Sequence, residues 1–272
     1  MSYKNFMATI WSEHILHDLG KFTVFKDTCD YQFEGEAKRG ESVKILGVGR
    51  PTIRKYIPNQ DIAGPERPTD SSVFLTIDQY DYFNYGVDDV DKAQSKKGVM
   101  EALATETTRS LAEELDKFIA TKCAKEAGHK IASTQITTEA AAKKVIDDAF
   151  VKLWDTGVSQ KDSVDIFITP WFYNLFKNQL ITIKTDNDNA IKTGSIGMYN
   201  NAHIKMSNNL YKDATDDHII IKTRKGMAVA TGIEETEAYR PQGRFEDAIK
   251  GLHTYGAKAV RPKEIVCIKA HQ

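Results

Sequence analysis

The stretch YFNYGVDDVDKAQSKKGVM, residues 82–100, is where an alternating aromatic pattern gives way to a helical one. On its N-terminal side, Phe74, Ile77, Tyr80, Tyr82 and Tyr85 read as a strand over 73–87 that is not strictly in phase, as expected where part is covered on both faces. On its C-terminal side, residues 99–127 contain neither Gly nor Pro, and Met100, Leu103, Thr107, Leu111, Leu115, Phe118 and Ile119 recur mostly at steps of three and four. That spacing predicts one helix of about 29 residues, roughly 43 Å long at 1.5 Å per residue, stopped by Gly128. Between the two patterns stand Asp88, Asp89 and Asp91. Clustered carboxylates can hold a cation, run acid–base chemistry or cap a helix. A calcium loop needs oxygen ligands at alternate positions, a central glycine and a closing glutamate. Here Lys92, Lys96 and Lys97 fill the space where ligands belong. Gly86 can end the strand, and Asp88 or Asp89 can cap the next turn at the positive end of a helix. The joint reads as structural.

Downstream, Ala142, Val145, Ile146, Ala149, Phe150, Leu153 and Trp154 follow the 3.6-residue period, with Thr137 or Thr138 to cap the start and Gly157 to end it. VDIFIT (164–169) reads as a strand, with Thr169 as N-cap and Pro170 at the first position of another helix. DNDNAIKTGS (186–195) is a polar loop, and short strands follow at 203–206, 218–222, 226–232 and 264–269. Upstream, residues 6–25 suggest a short amphipathic helix. VKIL (43–46) and TIRKYI (52–57) read as strands flanking GVGRP, with PNQDIAGPERPTDSS (58–72) as a long polar loop. Such a hairpin has little apolar material of its own and is expected to lean on something else, such as another subunit. The order of elements lacks strict βαβ alternation, so the class is α+β.

The net charge of −1 over 272 residues offers no global basic excess for gripping nucleic acid or an anionic membrane. No apolar run approaches the roughly 20 residues of a spanning helix, and the first residues are too polar for a signal-peptide core. Cys29, Cys123 and Cys267 are far apart and show no CxxC spacing, which suits a reducing cytoplasm and buried thiols. GVGRPT lacks the third glycine and the following helix of a dinucleotide fingerprint, and GSIGMYN lacks the lysine of a phosphate loop. His14 and His17 could share a helix face, but no HExxH appears, and the other histidines stand singly. No serine lies in a GxSxG setting. Arg50, Arg54, Lys55 and Arg67 cluster in the hairpin region with Tyr56 as the aromatic among them, which fits an interface edge better than a nucleic-acid groove.

NFMATIWSEHIL, FEGEAKRGESVKI, GVDDVDKAQ and AYRPQGRFEDAIKGLHTYGAKAVRP, in that order, resemble the major capsid proteins of tailed phages with Hong Kong 97-like architecture, in the form without a large inserted domain. The likeness runs over roughly residues 5–270. It implies an N-terminal arm (1–30), an extended loop lying across the adjacent subunit (31–78), a peripheral domain (79–134 and 241–272) built on the long helix, and an axial domain (135–240). It implies a structural subunit without catalysis or cofactor, self-assembling into hexamers and pentamers of an icosahedral shell around DNA that is not read by sequence. The expected partners are further copies of itself, a separate scaffolding protein and the portal, with assembly in the host cytoplasm and no membrane. Expected assembly contacts are Trp11, Arg50, Arg54, Lys55, Tyr56 and Arg67 on the arm and loop, and Asp186, Asn187, Asp188 and Asn189 near the capsomer axis. Ala8 and Thr9 stand where the family often has a proline and an acidic residue, and no Lys, Asn and Glu trio matches the crosslink of some shells. Two other readings stay open: a bacterial nanocompartment shell with the same fold, and a metal-dependent enzyme using Asp88, Asp89 and Asp91 with a histidine.

Overall fold

Strand β5 (Val164–Ile168) is buried at every residue, which requires cover on both faces of its sheet. The computed structural model shows how that cover is built; it describes residues 23–32, 42–48, 53–56, 58, 61, 64, 70–88, 99–182, 197–243 and 245–272. β5 sits inside a mixed six-stranded sheet of order β4-β11-β8-β5-β7-β6, formed with β4 (His129–Gln135), β6 (Met198–Tyr199), β7 (Ala202–Met206), β8 (Asp217–Thr223) and β11 (Ile265–His271). Because side chains alternate across a strand, Val164, Ile166 and Ile168 point to one face and Phe167 to the other. The first face packs with Ile219, Ile221, Val266 and Ile268 against helices α2 (Glu139–Asp155) and α3 (Pro170–Thr182). The second meets the long helix α1 (Val99–Glu126) through Leu115, Ile119 and Cys123.

The remaining described strands form two antiparallel units. β3 (Gln79–Asp88), β10 (Glu246–Ala259) and β9 (Met227–Tyr239) make a three-stranded sheet of order β3-β10-β9, with Phe83 and Ile249 packed on Leu111 and Ala112 of α1. β1 (Ser42–Val48) pairs with β2 (Asp70–Thr76) in a separate hairpin. The class is α+β, as the order of elements indicates.

Several local expectations hold. α2 begins where Thr138 Oγ1 accepts the Ala141 N–H at 3.3 Å, and it ends at Gly157, whose φ of +91° is costly for a residue with a Cβ. Helix α1 spans Val99–Glu126, and the chain leaves it at Gly128, whose N–H donates to the Pro262 carbonyl at 2.8 Å. Its buried face is broader than the predicted stripe. Ala104, Thr108, Ala112, Asp116, Ala120 and Ala124 are buried beside Leu111, Leu115 and Ile119.

Other expectations are corrected. Residues 53–56 of TIRKYI are not in a strand; β1 pairs instead with 70–76, so the hairpin is closed by a long connection. The 73–87 pattern is two strands, β2 and β3, in different sheets, because Ile77 turns inward to the core between them. That break is why the aromatics fell out of phase. Pro170 opens α3 behind Thr169, but the Thr169 hydroxyl is buried without a partner among the described residues and makes no side-chain cap. The sheets draw strands from more than one of the expected spans. β9, inside 135–240, joins the three-stranded sheet, whereas β4 and β11, from 79–134 and 241–272, join the six-stranded sheet. Long-range strand pairing decides this, and no local pattern encodes it. Of the amphipathic helix expected over 6–25, residues 23–25 are not helical, because they are drawn onto Asp116 by the Val24 and Phe25 N–H groups; residues 6–22, the Asp89 and Asp91 joint and the 186–195 loop lie outside the described residues.

Candidate assembly surfaces

The hairpin is seated on the body by one face and exposed on the other. Along β1 and β2 the side chains of Val43, Ile45 and Leu75 are buried, followed by Ile77. Ile45, Leu75 and Ile77 pack on Ala228 and Ala230 of β9, with Val260 beside them. Small residues at 228 and 230 let the hairpin base approach closely. Gly256 on β10 does the same for the backbone, because a Cβ there would run into the Thr76 carbonyl. The base is therefore seated on the body, which sets the direction in which the rest projects.

The opposite face of the hairpin carries Ser42, Lys44, Ser72, Phe74 and Thr76, all exposed. Phe74 is 54% exposed, and in the connection beyond it Ile53 and Tyr56 are 96% and 72% exposed. Arg54 and Lys55 lie between those two and are exposed as well. The structure thus brings four side chains, Ile53 to Tyr56, together as an apolar and basic segment. Trp11, Arg50, Arg67, Asp186, Asn187, Asp188 and Asn189 lie outside the described residues.

A second feature was not legible in the sequence. Residues 23–30, with a short 3-10 turn at Lys26–Thr28, dock between α1, β8 and β9. Asp116, placed by periodicity next to the apolar stripe, is buried and accepts backbone N–H groups from Val24 and Phe25. Lys222, at the end of the HIIIK run, is fully buried and donates to the Thr28 carbonyl. An apolar run ending in lysine gives no signal that the lysine turns inward.

Two polar constellations have the ingredients of catalysis. Cys267 Sγ lies 3.3 Å from His218 Nδ1, and His218 Nε2 lies 3.2 Å from Asp213 Oδ2. That order of thiol, imidazole and carboxylate matches an activated nucleophile. The thiol, however, is buried, and desolvation pushes it up to about 11, the reverse of activation. Ser133, His271 and Asp216 also meet, but Ser133 Oγ and His271 Nδ1 both turn to Asp216 Oδ1, at 2.7 and 2.8 Å, so the imidazole does not stand between serine and carboxylate. These contacts clasp the segment before β8 onto β4 and β11. Among the described residues no group of three His, Cys, Asp or Glu could hold a metal ion; Asp88 ends β3, and the rest of that joint lies outside them. All three cysteines are free and buried, as the sequence suggests. No helix among the described residues is long and apolar enough to cross a membrane.

No protein-family model and no curated protein matches the sequence. Solved structures do. A structure of Mycobacterium phage Che8 is similar over 90% of each chain, with 26% sequence identity and a TM-score of 0.74. The chain has the fold of phage capsid subunits. The capsid of the cyanophage P-SCSP1u is similar over 92% of this chain and 88% of its own, at 16% identity and a TM-score of 0.73. A virus-like particle from Pyrococcus furiosus shares the fold over 98% and 100% of the two chains, at 11% identity and a TM-score of 0.61. The last two likenesses concern the fold alone.

Proposed function

We propose that this capsid subunit is a tailed-phage major capsid protein that closes hexamers and pentamers into an icosahedral shell around DNA. It does so without catalysis, in the host cytoplasm, with a separate scaffolding protein and the portal as partners. The observation that carries the reading is the hairpin: one face is seated on Ala228 and Ala230, while Phe74, Ile53 and Tyr56 are exposed with nothing among the described residues to cover them. Exposed large apolar groups on a projecting element mark an interaction surface. In a closed assembly that partner is the next copy, and many weak repeated contacts supply the affinity. On this reading α1 with the three-stranded sheet serves as the peripheral unit, and the six-stranded sheet with α2 and α3 as the axial one. Arg54, Lys55 and Tyr56 lie in the inter-subunit contact, together with Trp11, Arg50 and Arg67, and residues 186–189 approach the capsomer axis.

The fold shared with the Pyrococcus furiosus particle keeps the nanocompartment reading as the second one. Electron microscopy of native particles, with analysis of their contents, tests both. Closed shells holding DNA are expected. Shells holding a cargo protein and no DNA would make the chain a nanocompartment subunit, and a persistent monomer after co-expression with a scaffold would overturn the shell reading.

A further inference from the structure

Residues 23–30 are fastened to the body through buried charges. At the start of this segment, the Val24 and Phe25 N–H groups donate to Asp116 Oδ2 and Oδ1 at 2.8 and 3.1 Å. At its end, Lys222 Nζ donates to the Thr28 carbonyl at 2.5 Å and Arg224 Nε to the Cys29 carbonyl at 3.3 Å. In between, Phe25 stacks on Phe167 with ring centroids 3.9 Å apart, and Cys29 is buried in the same cluster as Cys123 of α1. Its sheet-like contact is a single bridge from Asp30 to Ala228.

Asp116 is 1% exposed and Lys222 0% exposed. Among the described residues neither has an opposite charge within salt-bridge distance, so each is balanced by backbone dipoles of the segment itself. Burying a charge this way is expensive. The cost shows at Asp116, whose carboxyl is pushed up to about 6 by desolvation although two N–H groups donate to it; Asp27 adds to the rise and Lys205 opposes it. Opening the segment returns both charges to water while giving up the burial of Phe25. The face of the six-stranded sheet turned toward α2 and α3 is lined by apolar side chains and has no such compensation. Native proteins open in units of unequal free energy, and a unit with this balance lies low on that scale.

We propose that residues 23–30 form a releasable strap, clamped by Asp116 at one end and by Lys222 and Arg224 at the other, that opens as one unit while the sheets stay folded. The strap gives the root of residues 1–22 a docked and an undocked state. Its use rests on the shell reading: copies in non-equivalent positions of a closed shell can differ in that state without refolding.

Thiol reactivity in the unassembled full chain tests the strap independently of assembly. Variants keeping only Cys29, only Cys123 or only Cys267 are treated with an aromatic disulfide reagent in native buffer. Cys29 and Cys123 are expected to react at a common rate, at least tenfold faster than Cys267, which is held between His218 and the sheet. Hydrogen exchange in the unmodified protein supplies a readout free of variants: the Val24 and Phe25 amides should exchange well before those of Ile166 and Ile220. Reaction of Cys29 at the Cys267 rate, or exchange of Val24 and Phe25 together with Ile166, overturns the strap. Either result leaves the electron-microscopy test of the shell untouched.

Discussion

In β5 of the six-stranded sheet all five residues are buried, whereas in the β1–β2 hairpin Ser42, Lys44, Ser72, Phe74 and Thr76 are exposed. Both regions are β structure. They differ in what their own chain can put over them. The six-stranded sheet has α2 and α3 on one face and α1 on the other, so its apolar side chains complete a core in a single copy. The hairpin is covered by Ala228 and Ala230 on one face, while its other face, with Phe74, is exposed among the described residues. A two-stranded ribbon gains little stability alone, so its outer face is available for contact between copies. On the proposed reading, stability is concentrated in one region and association in the other.

The largest effect expected to sharpen this contrast is core truncation. Phe150→Ala, in the core between α2 and the sheet, should cost about 3–5 kcal/mol of unfolding free energy, measured by guanidinium denaturation. Phe74→Ala should change stability by less than about 0.5 kcal/mol and yet reduce assembly. Equal effects on stability would erase the distinction between the two regions.

Two buried titratable groups should pull in opposite directions with pH. His253 on β10 has both ring nitrogens without partners among the described residues, and burial holds it down to about 4, with Asp81 opposing and Lys26 reinforcing. The unfolded chain takes up this proton near the ordinary value of about 6.5. Stability from neutral His253 is therefore present above that pH and lost as pH falls toward 4, by about 3 kcal/mol. Asp116, raised to about 6, has the reverse sign. Its contribution is fully present below the unfolded value of about 3.9 and lost as pH rises through about 6, again by about 3 kcal/mol. The two nearly cancel between pH 4 and 6.5. Relative to the unmodified protein, Asp116→Asn should make melting temperature fall more steeply on acidification, and His253→Leu should make it rise. Parallel curves for all three proteins would contradict both assignments.

Smaller effects probe the seams. Gly256→Ala forces a Cβ against the Thr76 carbonyl and should cost about 1–3 kcal/mol, with the hairpin released to protease before the sheets unfold. Thr138→Ala removes the α2 cap and should cost about 1 kcal/mol without altering assembly.

What the sequence disclosed follows the same division. Elements stabilised by one contiguous periodic face were legible: α2 with its Thr138 and Gly157 boundaries, the β5 strand and the long α1 helix. What depends on distant partners was not. TIRKYI has strand-like composition, but β1 pairs with residues 70–76, and nothing near position 52 encodes that choice. The break at Ile77 separates two strands that composition joins. Asp116 and Lys222 look like solvent-facing charges at their places in the pattern, and only the docking of residues 23–30 turns them inward. At the projecting surface, the exposed segment Ile53 to Tyr56 contains the expected Arg54, Lys55 and Tyr56, while Phe74 was counted as part of a strand and not as a contact.

The most direct measurement pairs assembly with stability in one variant, in which residues 49–69 are replaced by a short glycine-containing turn joining β1 to β2. The account predicts a subunit that unfolds within about 1 kcal/mol of the unmodified protein and forms no rings or closed shells by electron microscopy, under conditions where the unmodified protein does. Closed shells from this variant would contradict it.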